Sequence, residues 1–295
     1  MKTSSRLKNT ALTNLVFGAI LISFSPVFVK LAHVGPTIAG VYRMLFGGIV
    51  LAIIAIIRRD KFWSGRKPFL WTCLIGLIFA LDLTAWHRCI HYIGPGLSTL
   101  LGNFQVFILT GFGVLVLKEK LTRQFLFAVP LAMAGLILIF GWRWQQFDVD
   151  YKIGFILGII TAISYAIFTL ALRYLQSREN SLSPIVNLTI ISFITTIFMA
   201  IFSLAQSESF IIPDWQSWGS LIGLGIVCQA VAWLIIARTL PKIKASLAGL
   251  ILLLQPTLAF VWDILFFDRP TTGLEILGAL IALAAIYLGS SNNTQ

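Results

Sequence analysis

The sequence predicts an all-α integral membrane protein of ten transmembrane helices in two inverted five-helix repeats. Three observations predict it: a series of long apolar runs, basic clusters that alternate between them, and a self-similarity at a fixed offset. Of the 295 residues, 58% are hydrophobic and 11% charged. A water-soluble domain carries about 25% charged residues, so most of this surface faces lipid.

A helix needs about 20 mostly apolar residues to cross the hydrocarbon core. Ten runs meet this length: 11–32, 36–57, 68–87, 95–117, 124–142, 152–172, 184–205, 217–237, 244–266 and 272–290, numbered here as spans 1 to 10. Pro36, Pro68 and Pro95 stand at or near helix starts, where a missing N–H costs little. Gly35-Pro36 marks a turn between spans 1 and 2. The first run follows a basic tail, as a signal peptide does. It is longer than a typical signal core and has no clear small-residue cleavage site, so it reads as a retained helix.

Charge tests the count. With a cytoplasmic N-terminus, the inner segments hold 16 of the 22 Lys and Arg residues, in clusters such as Arg58, Arg59, Lys61, Arg66 and Lys67. The outer segments hold Arg88, Arg143, Lys152 and Arg269, while Lys30 and Arg43 fall inside spans. Basic residues stay preferentially on the cytoplasmic side, and losing one span would invert every loop after it. The expected placement is a multi-pass protein of the plasma (inner) membrane with both termini cytoplasmic. Trp86, Trp142, Trp144, Trp215, Trp218 and Trp262 map near the outer boundary, and Trp63 and Trp71 near the inner one, the usual place of aromatic belts.

The net charge of +11 invites a nucleic-acid reading, but the charges lie in short clusters between apolar runs and form no continuous basic face. Cys73, Cys89 and Cys228 are scattered and give no disulfide framework. Cys89 between His87 and His91 has no zinc-type spacing around it. No GxxxxGK[ST] motif occurs, so no ATP-driven step is expected.

The repeat appears when 98–140 ("STLLGNFQVFILTGFGVLVLKEKLTRQFLFAVPLAMAGLILIF") is set against 247–289, at an offset of 149 residues. Glu119 falls on Asp268, Lys120 on Arg269 and Thr122 on Thr271. Each copy is an apolar helix, an acidic-basic turn and a second apolar helix. The offset spans five helices, an odd number, so the second copy is upside down relative to the first. The expected units are residues 1–147 and 148–295. Inverted repeats characterise many secondary transporters, with the site near the midplane between the halves.

These segments resemble the drug/metabolite transporter superfamily, and within it the ten-helix EamA type. The carriers are "LVLKEKLT" (115–122), "LQPTLAFVWDILFFDRPT" (254–271), the span-2 arginine in "VYRMLFGG" and "ALDLTAWHRCIHYIGPGLSTLLGN" (80–103). Where the pattern has a proline about twelve residues before the acidic residue, the second half keeps Pro256 and the first has Phe107. The second half also has Asp268 where Glu is commoner. The resemblance implies secondary transport by alternating access, and no particular solute.

An ionisable side chain at membrane depth costs at least ~2.5–3.5 kcal/mol unless it has a partner or a wet cavity. Arg43 lies about 10 Å below the outer end of span 2, at ~1.5 Å per residue, and Asp82 lies at a similar depth in span 3. The expectation is an Arg43–Asp82 pair, or a polar cluster shared with Lys30, serving either substrate contact or helix register. Neutral polar groups cluster deeper: Asn103 and Gln105 on span 4, Tyr165 on span 6, Gln229 and Trp233 on span 8 and Gln255 on span 9. Gln229 and Trp233, four apart, should share one helix face. Pro256 frees a backbone carbonyl beside Gln255, and Pro26 does the same beside Ser23 and Ser25. With Trp86 these make the candidate cavity lining: Arg43, Asp82, Trp86, Asn103, Tyr165, Gln229, Trp233 and Gln255. Asp263 and Glu275 read as snorkelling residues, and Glu119 and Asp268 as braces for the next helix. Gly18, Gly47, Gly48, Gly135 and Gly278 read as close-packing positions.

The function expected is export of a small organic metabolite, such as an amino acid or related compound. The alternative is an intramembrane enzyme acting on a lipid or small substrate near the outer face. Expected partners are the substrate, the lipid bilayer and a coupling ion such as H+, in a monomer or homodimer. No nucleic acid, cofactor, metal or catalytic residue is expected.

Overall fold

The computed structural model describes residues 2–140, 149–178 and 181–291. Trp142, Arg143, Trp144 and the last residues of span 5 lie outside the described residues. Among the described residues nine helical stretches are long and apolar enough to cross a bilayer, and a shorter one, Arg123–Ile139, completes the ten.

Span 1 is broken into α1 (Lys2–Ser23) and α2 (Ser25–Leu31). The break has a local cause: Pro26 donates no N–H, and its ring crowds the carbonyl of Ile22 four residues back. Span 2 is α3 (Pro36–Ile57), opened by its proline. Helical hydrogen bonding then runs unbroken through α4 (Arg66–Gly102), about 55 Å of chain if it were straight. It is not straight. From the point where a Cβ on Gly158 would sit, Leu101 Cβ is 2.8 Å and Cys89 Sγ 3.3 Å away. Residues twelve apart in a straight helix are ~18 Å apart. The chain therefore turns back between Cys89 and Leu101, and α4 carries span 3 and the first part of span 4, both laid on α7 (Val149–Gln176), which is span 6.

Span 4 breaks again at Asn103–Phe104 before α5 (Gln105–Leu115). No proline stands here. Asn103 turns its own amide onto the Thr99 carbonyl at 2.7 Å, a side-chain bond that competes with continued helix. Span 9 breaks at the repeat-related place, Leu253, between α11 (Ala245–Leu252) and α12 (Leu254–Phe267), with Pro256 just beyond.

Spans 5 and 10 are α6 (Arg123–Phe140) and α13 (Gly273–Ser291), which pack on each other. They meet at bare backbone: a Cβ on Gly135 would stand 2.6 Å from the Gly278 carbonyl. Span 7 is α8 (Pro184–Ala205). Span 8 is α9 (Trp215–Gly223), a π-helical stretch Leu224–Ala232, and α10 (Trp233–Thr239), followed by a 3-10 turn at Leu240–Lys242. The π-helical stretch faces span 2, where a Cβ on Gly47 would fall 2.5 Å from Gln229 Cγ and 2.9 Å from the Gly225 carbonyl.

With ten spans both termini lie on one face, here the termini face, with the connections after spans 2, 4, 6 and 8. The distal face carries the bends at 32–35, 206–214 and 268–272 and the turning back of α4 between Cys89 and Leu101.

Candidate functional site: a cavity open at the distal face

A cavity of about 1080 Å³ lies between the two halves. Its mouth is lined by Lys30, Tyr92, Asp263, Phe267 and Arg269 at the distal face, and its floor by Phe79, Tyr165 and Trp233 at mid-membrane. Beneath the floor Phe168 stacks on Phe79 at 4.1 Å and meets Trp233 edge-on at 5.0 Å. That aromatic layer and the contacts below it close the termini face.

Those contacts are polar and specific. The Glu119 carboxylate accepts from the Ala245 N–H at 2.7 Å, the Ser246 N–H at 3.2 Å and the Ser246 hydroxyl at 2.6 Å. Glu119 therefore caps α11 of the other half, not the next helix in sequence. Arg173 donates from Nε to the Leu240 carbonyl at 3.1 Å and from Nη2 to the Ile243 carbonyl at 3.2 Å. Lys244 donates to the Lys120 carbonyl at 3.1 Å.

Seven of the eight candidate residues line the cavity: Arg43, Asp82, Trp86, Asn103, Tyr165, Trp233 and Gln255. The eighth, Gln229, does not. It is fully buried, packs behind Gly47 and donates to Ser192 Oγ at 3.2 Å. The i,i+4 rule that tied it to Trp233 assumes α-helical winding, and Gln229 sits in the π-helical stretch.

Arg43 and Asp82 share the cavity without pairing. Among the described residues they form no ion pair within 4.0 Å, though they lie close enough to interact electrostatically. Arg43 Nη1 donates to Ser25 Oγ at 3.3 Å, beside the span-1 break, and its Nε has no partner. Asp82 Oδ1 is likewise buried without a partner. Lys30 lines the same cavity but pairs with Asp263 at 2.9 Å and lies over the Phe267 ring at 4.1 Å. The cluster expected between Lys30, Arg43 and Asp82 is thus drawn apart, because Asp263 takes Lys30. Deeper in, Gln255 Nε2 donates to the Tyr165 hydroxyl at 3.1 Å, and Trp233 Nε1, 1% exposed, has no partner.

Three further residues belong here. His87 is 6% exposed and lines the wall with Nδ1 unpartnered. Thr161 lines it with an unpartnered Oγ1. Phe260 lies beneath the Arg269 guanidinium, with which it makes a cation–π contact of 4.9 Å. The spacing 79, 82, 83, 86, 87, 90 is one α-helical stripe of span 3 that lines the cavity throughout, and this period could have found His87.

Two aromatic-belt assignments change. Trp86 lines the cavity, and Trp262 stacks on Phe24 at 4.5 Å and donates to Ser23 Oγ at 2.8 Å, bracing the span-1 break. Glu275 does not merely snorkel: it takes the Thr272 N–H at 2.7 Å and Arg269 Nη2 at 2.9 Å at the start of α13.

At the distal face outside the spans, Asp214 caps α9 through the Ser217 N–H at 2.8 Å and meets His33 Nδ1 at 2.6 Å. The hydrogen bond from His33, and then that from Ser217, hold its carboxyl below the usual carboxylate range.

Known proteins carry the same plan. The chain is 24% identical over 282 residues to an uncharacterized transporter of Archaeoglobus fulgidus, covering 93% of this chain and 94% of that one. It is 22% identical over 275 residues to a probable amino-acid metabolite efflux pump of Salmonella typhimurium, covering 90% and 89%. A crystal structure only 14% identical superposes with a TM-score of 0.82 over 97% of this chain and 99% of that one, which speaks for the fold alone. The EamA-like transporter family model matches twice, at residues 9–141 and 152–291. A cavity between two inverted halves, and two copies of one family unit that make up nearly the whole sequence, place this chain in the EamA-like transporter family.

Proposed function

We propose that this chain is a secondary active transporter that exports a small organic metabolite by alternating access, with its termini in the cytoplasm. The observation that carries the reading is the one-sided cavity. It is open at the distal face, sealed at the termini face, and holds an unpaired guanidinium and an unpaired carboxylate. A buried charge without a partner is costly, and a solute bearing a carboxylate and an ammonium supplies both missing partners at once. The aromatic floor accepts the apolar part of such a solute. The amino-acid metabolite efflux relative supports this class, as do the amide and hydroxyl groups of Asn103, Gln255 and Tyr165.

With cytoplasmic termini, the conformation described is the outward-open one, after release. Catalysis near the distal face, the alternative, draws no support from a family of transporters. Purified protein in proteoliposomes, loaded in turn with zwitterionic, anionic and cationic metabolites and assayed with and without a pH gradient, tests the reading. Counterflow of a zwitterion that is lost in Arg43→Ala is expected. Absence of flux for every class sinks it.

A further inference from the structure

We propose that Lys30 is a two-position latch for the mouth of the cavity. Paired with Asp263 it holds the distal face open; released, it binds the backbone carbonyls of the span 3–span 4 bend and holds that face shut. The inference rests on the transport reading only in calling the second position a working state.

The first leg is the repeat. The two family matches begin at residues 9 and 152, and we take that separation of 143 as the register of the first helix in each half. At that offset "GAILISFSPVFVKLA" (18–32) lies on "TAISYAIFTLALRYL" (161–175), and Lys30 falls on Arg173. Ile22 falls on Tyr165, and both line the cavity. Lys30 and Arg173 are thus counterparts at opposite faces.

The second leg is what Arg173 does. At the closed termini face it ties span 6 to the bend between spans 8 and 9, through the carbonyls of Leu240 and Ile243. At the later offset of 149 those positions fall on residues 91 and 94, in the bend between spans 3 and 4. At the open distal face Lys30 makes no such contact among the described residues and bonds Asp263 instead. Span 6 packs on the turn after α10, whereas among the described residues no comparable packing joins α1 and α2 to α4. Tyr92 and Ile93 instead stand on the mouth along with Lys30.

The third leg is an asymmetry. Asp263 falls on Val114 at the offset of 149, so the position of the opposite half that would face Arg173 as Asp263 faces Lys30 is apolar. Lys30 has its acid there, engaged at 2.9 Å. Arg269 stands 3.8 Å from the other oxygen of Asp263, within the same half, so Lys30 is the cation that joins the halves there, and its choice between two acceptors makes a switch whose position reports which face is open.

Spin labels at His91→Cys and Gly273→Cys, on opposite sides of the mouth, test this by pulsed dipolar spectroscopy. The full chain is used in nanodiscs, with Cys73, Cys89 and Cys228 changed to Ala. Gly273 has open space around it. Asp263→Asn should raise the short-distance population about two- to fivefold, the effect of a half-exposed ion pair. Adding Lys30→Ala should return that population to the parental level or below. No rise in Asp263→Asn, or a rise that survives Lys30→Ala, overturns the latch. Lys30→Ala alone, measured on monodisperse protein, keeps the test open should Asp263→Asn fail to fold. No substrate is needed, so an intact shift without flux would sink the transport reading and leave the latch standing.

Discussion

The turn after span 4 and the turn after span 9 share one sequence motif and do different work. In the first, Glu119 reaches into the opposite half and caps α11 with three hydrogen bonds. In the second, Arg269 and Thr272 fold back on Glu275 of their own α13. One turn joins the halves; the other finishes a helix. Two copies of a unit that were equal in every contact would close both faces or neither. The difference between these turns goes with the difference between a sealed termini face and an open distal one.

The largest effect is expected where the halves are alike. Gly135→Val forces a side chain into the Gly278 backbone 2.6 Å away, an overpacking worth about 3 kcal/mol. Size-exclusion profiles of the detergent-solubilised protein should lose the monodisperse peak. A normal profile would mean that spans 5 and 10 do not meet as described. The next effect belongs to the cavity. Asp82→Asn removes an unpaired charge and keeps the shape, so the melting temperature should hold while transport falls about 10- to 150-fold, the loss of one charge-assisted contact of ~1.5–3 kcal/mol. A drop in melting temperature with flux intact would make Asp82 structural.

Glu119→Ala sharpens the comparison directly. Losing the cap across the halves should cost about 1–2 kcal/mol and open the termini face to a maleimide reacting with Ser246→Cys. Glu275→Ala removes a comparable cap within one half. It should cost about 1 kcal/mol or less and leave that labelling unchanged. Equal labelling in both would erase the distinction between the turns. The smallest effect is acid at the distal face. Asp214 has a depressed carboxyl, so the strap it forms with His33 and Ser217 is present above the unfolded value of ~3.9 and lost as pH falls through the lower folded value. Amide exchange at Ser217 should stay flat from pH 7 to about 4 after correction for intrinsic rates, and rise only below.

The spans were legible because apolar length and basic clusters are local signals that a bilayer imposes on sequence. The break in span 1 was marked by Pro26. The break in span 4 was not marked: Phe107 stands where the proline would be, and an asparagine bonding its own helix does the breaking. Depth in the membrane could be counted for Arg43 and Asp82, but direction could not, since Ser25 and Asp263 compete for the cations from other helices. Gln229 was misplaced because π-helical winding leaves no period in a stretch of nine residues. The partner of Glu119 lies 126 residues away, beyond any local pattern.

The seam at Gly135 and Gly278 carries a mechanical meaning. Where the two helices pass at Gly135 and Gly278 the nearest atoms are backbone and Cβ atoms, which have no rotamers to freeze or release, so rotation at that crossing carries little of the side-chain entropy that an interlocked contact would. A pair of bodies rocking about a common line does so most easily around such a bearing. In the alternating-access reading proposed above, spans 5 and 10 would meet along that line, and neither lines the cavity.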